Sequence, residues 1–262
     1  MKILVTGGAG YIGSHITYLL LEKGFKVKII DNFSTGSAGM LPTDIHIYDE
    51  NIGSGEKVTK ILKDFSPDLV IHLAASVEVE ESVIKPMKYY KNNVVNSIEF
   101  LNSCLDARIN NIIFSSTAAV YGVNDNKHVS ENAYKNPQSP YGSSKLIIES
   151  IMNDISRSNK INSLIFRFFN VAGADKQLRT GQIKEPATHL IKVACEVAVG
   201  KRKKIDVFGN DYPTPDGTCI RDYIHVCDLA ELHLNAINYL LDGGKSITLN
   251  CGYGKGFSVL EV

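Results

Sequence analysis

Residues 2–31 read KILVTGGAGYIGSHITYLLLEKGFKVKIID, and this stretch decides the fold. Lys2 to Thr6 is a short apolar run with no charge inside it, as a fully buried parallel strand requires. It passes directly into Gly7-Gly8-Ala9-Gly10-Tyr11-Ile12-Gly13. Ser14 to Lys23 then reads as a helix ended by Gly24. A second apolar strand, Lys26 to Ile30, finishes in Asp31. Strand, glycine turn, helix, strand and terminal acid together make the dinucleotide-binding fingerprint.

Each part has a physical reason. A pyrophosphate needs backbone N–H groups and the positive end of a helix dipole, so the chain must turn sharply and expose its amides. Gly7 or Gly8 permits the turn, Gly10 lets the backbone approach phosphate, and Gly13 lets the helix lie against the strand. Asp31 would accept hydrogen bonds from both hydroxyls of an adenine ribose. Its charge would repel a 2′-phosphate, which favours NAD over NADP.

Bulk composition narrows the remaining choices. The chain has 262 residues, 44% hydrophobic and 21% charged, with zero formal net charge, which is ordinary for a globular protein. The longest basic run is Lys201-Arg202-Lys203-Lys204, so nucleic acid is not an expected partner. Five cysteines (104, 195, 219, 227 and 251) never form CxxC and read as reduced thiols of a cytoplasmic protein. The seven histidines show no ligand spacing, so no metal is expected. A strand at the N-terminus leaves no room for a signal peptide, and no apolar stretch is long enough to cross a bilayer.

Beyond Asp31 the rhythm continues. Strands are expected at about 45–48, 68–75, 111–115 and 163–168, with helices at about 56–65, 86–107 and 140–158. Alternating strands and helices mean a parallel sheet covered on both faces, a Rossmann-like doubly wound α/β fold. Ligands sit at the carboxyl ends of such strands, so Asp31, Ala74, Ala75, Ser115 to Thr117 and Asn170 should share one rim. From about Val171 the pattern breaks into a polar loop, a helix at about 186–199, a strand at about 205–208 and a turn cluster from Asn210 to Gly217. The strand Tyr223 to Val226 and the helix Asp228 to Leu241 then resume it. The expected division is a nucleotide-binding part at 1–171 and about 219–250. A smaller, discontinuous substrate-binding part takes about 172–218 and 251–262. Phe257 to Val262 looks like the opening turn of a helix, which suggests a truncated protein.

Tyr141 and Lys145 stand four apart at the head of a helix and so share a face. A phenol is a poor base at neutral pH. Bringing its pKa from about 10 to about 7 takes roughly 4 kcal/mol of preferential phenolate stabilisation. An ammonium and an oxidised nicotinamide, both cationic, can together supply that. Chance alone yields about one Tyr-x-x-x-Lys in a chain of this composition, so position carries the signal. The pair follows a hydroxyl-rich strand end in a dinucleotide-binding chain. Thr117 is the favoured third group, relaying a proton between substrate and Tyr141, while Ser115 and Ser116 can equally be structural.

At this point the chain resembles a known family. TGGAGYIGSH (6–15), FSSTAAVYG (114–122), SPYGSSK (139–145), FRFFNVAGA (166–174) and FGNDYPTPDGTCIRDYIHV (208–226) are similar to motifs of the extended short-chain dehydrogenase/reductases. The likeness is to their UDP-hexose 4-epimerase branch and runs from Met1 to the last residue. It implies NAD-dependent interconversion of UDP-glucose and UDP-galactose through a 4-keto sugar, catalysed by Tyr141, Lys145 and Thr117. It further implies that Gly7, Gly10, Tyr11, Ile12, Gly13, Asp31, Asn32, Ile52, Leu73, Ala74, Ala75, Asn93, Ser115, Tyr141, Lys145 and Phe168 contact the cofactor. Thr117, Tyr141, Asn170, His189, Leu190 and Arg221 would contact the UDP-sugar. The alternatives are a surface ion pair of Arg221 with Asp222, a helix-surface His189, and an exposed helix turn for Asn92-Asn93.

Some positions depart from the family pattern. Asn51 stands where an acid is usual, Leu73-Ala74-Ala75 replaces Phe-Ala-Gly, and Val77 replaces a lysine beside the cofactor. The family also continues several tens of residues beyond Val262, with further diphosphate and ribose contacts. A 4,6-dehydratase would need an Asp-Glu pair after the threonine, where this chain has Ala118 and Ala119. Epimerisation of UDP-N-acetylhexosamines, or an inactive NAD-binding fragment, are the other readings. A homodimer through the helices at about 86–107 and 140–158 is implied as well.

Overall fold

The computed structural model describes residues 1–123, 128–158 and 160–262. Residues 124–127 and 159 lie outside that description. The chain opens with β1 (Lys2–Thr6), α1 (Tyr11–Glu22) and β2 (Lys26–Asp31). β3 (His46–Asp49), α2 (Gly55–Phe65) and β4 (Leu69–His72) follow. Two short helices, α3 (Val79–Ile84) and α4 (Pro86–Tyr89), lead through a π-helical turn at Tyr90–Val95 into α5 (Asn96–Asp106). Next come β5 (Asn111–Thr117), α6 (Pro140–Arg157) and β6 (Asn162–Phe168). The last elements are β7 (Asn170–Ala172), α7 (Leu190–Ala198), β8 (Ile220–His225), α8 (Val226–Leu241), β9 (Ile247–Cys251) and β10 (Gly256–Ser258).

Seven strands form one sheet in the order β3-β2-β1-β4-β5-β6-β9, every neighbouring pair parallel. Strands of such a sheet must be apolar on both faces, because helices cover both. β4 meets this with Leu69, Val70, Ile71 and His72 all buried. β1 sends Ile3 and Val5 into one core, with Ile16 of α1 and Leu229 and Ile237 of α8. Its Leu4 enters the other core, with Leu62 of α2, Phe100 of α5 and Ile148 of α6. Burying each such side chain contributes about 1.5–3 kcal/mol. The helices start where local chemistry allows. Ser139 caps α6 by accepting from the Gly142 amide at 3.2 Å, and Pro140 occupies the first position, where its missing N–H costs nothing.

Strand order reverses between β1 and β4, and the crevice at that switch point is where doubly wound sheets bind ligands. β8 pairs in parallel with β7 and antiparallel with β10, so a second, three-stranded sheet stands beside the carboxyl rim. α8 and β9 then return to the first sheet.

Three expectations differ from what forms. The helix expected at about 86–107 is broken into α4, the π turn and α5. Residues 205–208 form no strand: Val207 is 45% and Phe208 87% exposed, and without a partner strand the apolar run has nothing to pair with. Phe257 and Ser258 end β10 rather than start a helix, but a helix-type turn follows them. Ser258 Oγ accepts from the Glu261 amide at 3.1 Å while the Glu261 carboxylate accepts from the Ser258 amide at 2.7 Å, a reciprocal capping box.

Candidate active site

A cleft of about 1920 Å³ opens along the carboxyl rim. Of the residues predicted to contact cofactor or substrate, all but Asn93 and Leu190 line it.

Its phosphate end is built by the β1–α1 turn. Gly7 has φ +71°, and a Cβ there would lie 2.7 Å from the Ala74 amide nitrogen. A Cβ on Gly13 would lie 2.3 Å from the Gly7 carbonyl oxygen, so only glycine lets α1 close onto the turn. α1 begins at Gly10 without a capping side chain and without an acid in its first turn. Its leading N–H groups and dipole are therefore left for an anion. At the end of β2, the Asp31 carboxylate accepts from the amides of Ala9 and Phe33, each at 2.9 Å. One bond to each oxygen leaves both able to accept another, as a vicinal diol needs. Burial raises the Asp31 pKa, and the two amide bonds oppose that rise. Asn32, Ile52, Leu73, Ala74 and Ala75 complete the wall. This donor and acceptor set fits NAD.

The middle of the cleft holds the candidate chemistry. β5 delivers Thr117, 9% exposed, whose Oγ1 also accepts from the Ala119 amide at 3.1 Å. α6 delivers Tyr141 to the same wall. Burial raises the Tyr141 phenol above its ordinary value, the Thr117 hydroxyl bonded to it pulls the other way, and the charge on Glu78 adds to the rise. Lys145 is 3% exposed and donates to the Ser115 carbonyl at 2.7 Å, with the Phe114 ring centroid 4.9 Å away. Burial pulls the Lys145 ammonium down to about 7, and the Glu149 carboxylate resists. The three hydroxyl residues differ in where they point. Ser116 turns out of the cleft to bond Glu149, Ser115 offers its backbone to Lys145, and Thr117 faces Tyr141.

The far end belongs to the second sheet and the segment before α7. Asn170 sits on β7 and donates to the Asp222 carbonyl at 3.2 Å. Arg221 is exposed, and its hydrogen bond is to its own neighbour's carbonyl, Ile220, at 2.8 Å. It makes no ion pair with Asp222, whose carboxylate instead accepts from the amides of Tyr253 at 3.0 Å and Gly254 at 2.7 Å. The guanidinium is thus free to meet a diphosphate. His189 stands at the N-cap position of α7 without a capping bond, its Nδ1 3.1 Å from Gln182 Nε2, and Leu190 is the first helical residue behind it.

Asn93 stands one layer behind the wall. Its Oδ1 accepts from the Ser76 amide at 2.8 Å, and its Nδ2 donates to the Ser76 carbonyl at 2.9 Å and to Ser144 Oγ at 3.0 Å. The amide is consumed in holding the loop after β4 against α6. Glu78 and Lys184 are among the charged groups of the cleft that were missed in the sequence. Glu78 pairs with Lys184 and accepts from Thr188 Oγ1 at 3.0 Å, bridging the two sides. Burial works to raise the Glu78 carboxyl, but Lys184 and Thr188 together hold it below the usual carboxylate range. The available signal was an acid three residues past the Ala74-Ala75 end of a strand.

Comparison with known proteins adds the following. Residues 3–252 match the NAD dependent epimerase/dehydratase family. A UDP-glucose 4-epimerase of Azospirillum brasilense is 49% identical over 261 residues, covering 100% of this chain and 75% of that protein. The crystal structure of a UDP-glucose 4-epimerase from Brucella ovis in complex with NAD superposes with a TM-score of 0.95 at 40% identity, covering 99% of this chain and 80% of that one. A UDP-glucose 4-epimerase from Bifidobacterium longum in complex with NAD+ and UDP gives 0.93 at 35% identity, covering 100% and 81%.

Proposed function

The chain belongs to the NAD dependent epimerase/dehydratase family, and from that membership we infer that it is an isomerase interconverting UDP-glucose and UDP-galactose. Inversion proceeds at C4 through a transient 4-keto sugar. The observation that carries this reading is one continuous cleft holding the Gly7–Gly13 turn, then Thr117 and Tyr141, then Arg221. Ala118 and Ala119 line the same cleft where a dehydratase would need acids, and neither can move a proton.

NAD held along the Gly7–Gly13 turn and Asp31 would supply reversible hydride acceptance at C4. The proton chemistry falls to the chain's own groups. The Tyr141 phenolate takes the proton of the 4-hydroxyl, with Thr117 as relay, and gives it back to the 4-oxygen when the ring is reduced. No net proton is gained or lost. The Lys145 ammonium lies on the same helix face as Tyr141, where its charge favours the phenolate, and it can hold the nicotinamide ribose. Arg221 forks onto the diphosphate, Asn170 meets the phosphate or sugar, and His189 and Leu190 flank the uracil. The hexose must turn while the diphosphate stays fixed, so the firm contacts belong at the UDP end.

The nucleotide-binding part is assigned to 1–171 with about 219–250, and the substrate part to about 172–218 with 251–262. Exposed apolar side chains on α3 and α4 support a homodimer through this side of the molecule: Val83 is 61%, Ile84 70% and Met87 74% exposed. Five unpaired cysteines support a reducing, cytoplasmic setting. No helix among the described residues is long and apolar enough to cross a membrane.

The direct test is turnover. Purified protein given UDP-galactose is expected to form UDP-glucose, and Tyr141→Phe is expected to lower kcat by about 10²–10⁴ while NAD remains bound. Equal silence of the two proteins would overturn the assignment in favour of a bare NAD-binding module.

A further inference from the structure

Behind the cleft, α6 continues the stripe that begins with Tyr141 and Lys145. Glu149 is the next residue at the same four-residue spacing, and it is 1% exposed. Its carboxylate accepts from Ser116 Oγ and from Arg167 Nε at 3.0 Å and Nη2 at 2.6 Å. Arg167, on β6 and 3% exposed, also donates to the Tyr121 hydroxyl at 2.6 Å and the Glu131 carbonyl at 2.9 Å. Every nitrogen of the guanidinium and both oxygens of the carboxylate are thus hydrogen-bonded. Such a pair is weak evidence of a stabilising role, because a well-packed apolar pair in its place is often as stable or more so. Its location points to another use. Two successive rungs of α6 grip two successive residues of β5: Lys145 holds the Ser115 carbonyl and Glu149 holds the Ser116 hydroxyl. The next residue is Thr117.

We propose that Glu149 is a positioning residue, tying the strand end that carries Thr117 to the helix that carries Tyr141 and standing as the anion that keeps Lys145 an ammonium. The proposal rests on the reading of Thr117, Tyr141 and Lys145 as the proton-handling set. The surroundings of Lys145 define the electrostatics. Its own helix supplies Tyr141 and Glu149, and β5 supplies the Phe114 ring and the Ser115 carbonyl. β4 supplies His72, which burial and then the charge of Lys145 push down to about 3, so it stays neutral at working pH. β6 supplies Arg167, bonded to Glu149. Among these groups Glu149 is the negative charge, and it is what opposes the burial of Lys145. With Lys145 balanced near neutrality, removing that charge tips it to the amine. A neutral amine no longer favours a phenolate on the same helix face.

Glu149→Gln tests this while keeping the side chain's shape. The 13C signal of the Lys145 Cε, assigned by its loss in Lys145→Arg, reports the titration without any need for turnover. Its midpoint is expected to fall by about one pH unit or more. The alkaline limb of kcat against pH should move down with it, cutting kcat at pH 8 about tenfold, with KM for UDP-galactose within about twofold. Glu149→Asp should restore most of the wild-type titration. If unpaired Arg167 prevents Glu149→Gln from folding, Glu149→Gln/Arg167→Met removes both charges, and the midpoint should still fall, by less than in the single variant because a neighbouring cation is lost with the anion. A Lys145 midpoint and alkaline limb that stay in place, in whichever of these variants folds, would overturn the proposal and leave Glu149 a structural residue. Turnover by Tyr141→Phe would instead overturn the underlying reading, and the Lys145 titration, measured separately, tells the two failures apart.

Discussion

Gly13 shows how closely single residues set this site. Its missing Cβ would otherwise sit 2.3 Å from the Gly7 carbonyl oxygen and 2.7 Å from the Gly8 Cα, both backbone atoms that cannot swing aside. Gly13→Ala is therefore expected to push α1 off the turn and weaken NAD binding at least tenfold, measured by equilibrium titration. An unchanged affinity would mean that the turn relaxes at no cost. That glycine was legible in the sequence because its reason is local. So was Asp31, fixed by the end of β2. Arg221 and Asp222 were only half legible. Adjacency suggested an ion pair, but alternation along β8 sends the acid to the amides of Tyr253 and Gly254, and no local rule indicates that loop. Glu149 and Arg167 were invisible for the same reason, since a buried charge declares itself only through the partner the fold brings to it.

At the scale of elements, period and punctuation placed β1 to β6 and α1, α2 and α6 within a few residues. What they missed lies between β4 and β5. A long helix at 86–107 was the natural reading of the pattern, yet the chain widens into the π turn at Tyr90–Val95, a form associated with functional positions. The turn carries Asn93, which holds Ser76 and Ser144, and Ser144 in turn donates to the Tyr141 carbonyl at 2.7 Å. The extra residue in the turn thus serves the site through tertiary bonds that propensity cannot register. Ahead of it, α3 and α4 expose Val83, Ile84 and Met87 to solvent, an arrangement suited to a second copy. If the proposed homodimer uses this face, Ile84→Glu combined with Met87→Glu should shift sedimentation from dimer to monomer with little change in melting temperature. A double variant that sediments like the wild type would exclude this face as the contact.

For the whole molecule, acid stability follows from two imidazoles sealed in the cores. Burial lowers His72 to about 3 and His233 to about 4, and each is fully enclosed. The unfolded chain takes up both protons near pH 6.5, the folded chain far below it. The contribution of these two groups is therefore constant above about pH 7 and falls as pH drops below about 6.5, by about 1.4 kcal/mol per histidine per pH unit. Urea midpoints between pH 7 and pH 5 should track that decline, and His233→Leu should make its slope shallower. An identical slope in the variant would refute the assignment. The break of rhythm near Val171 in the sequence falls where the small sheet begins, with β7 opening at Asn170. The return of α8 and β9 is a different matter. β9 reaches β6 across 83 residues, as Ser163 and Ser246 mark, and forms the outermost parallel ladder of the seven-stranded sheet. While the nascent chain is emerging, β6 has no neighbour on that side, and its backbone groups lie open until almost all of these residues have left the ribosome. The molecule thus passes through a stage in which its newest edge is also its stickiest, and late closure by β9 is what ends it.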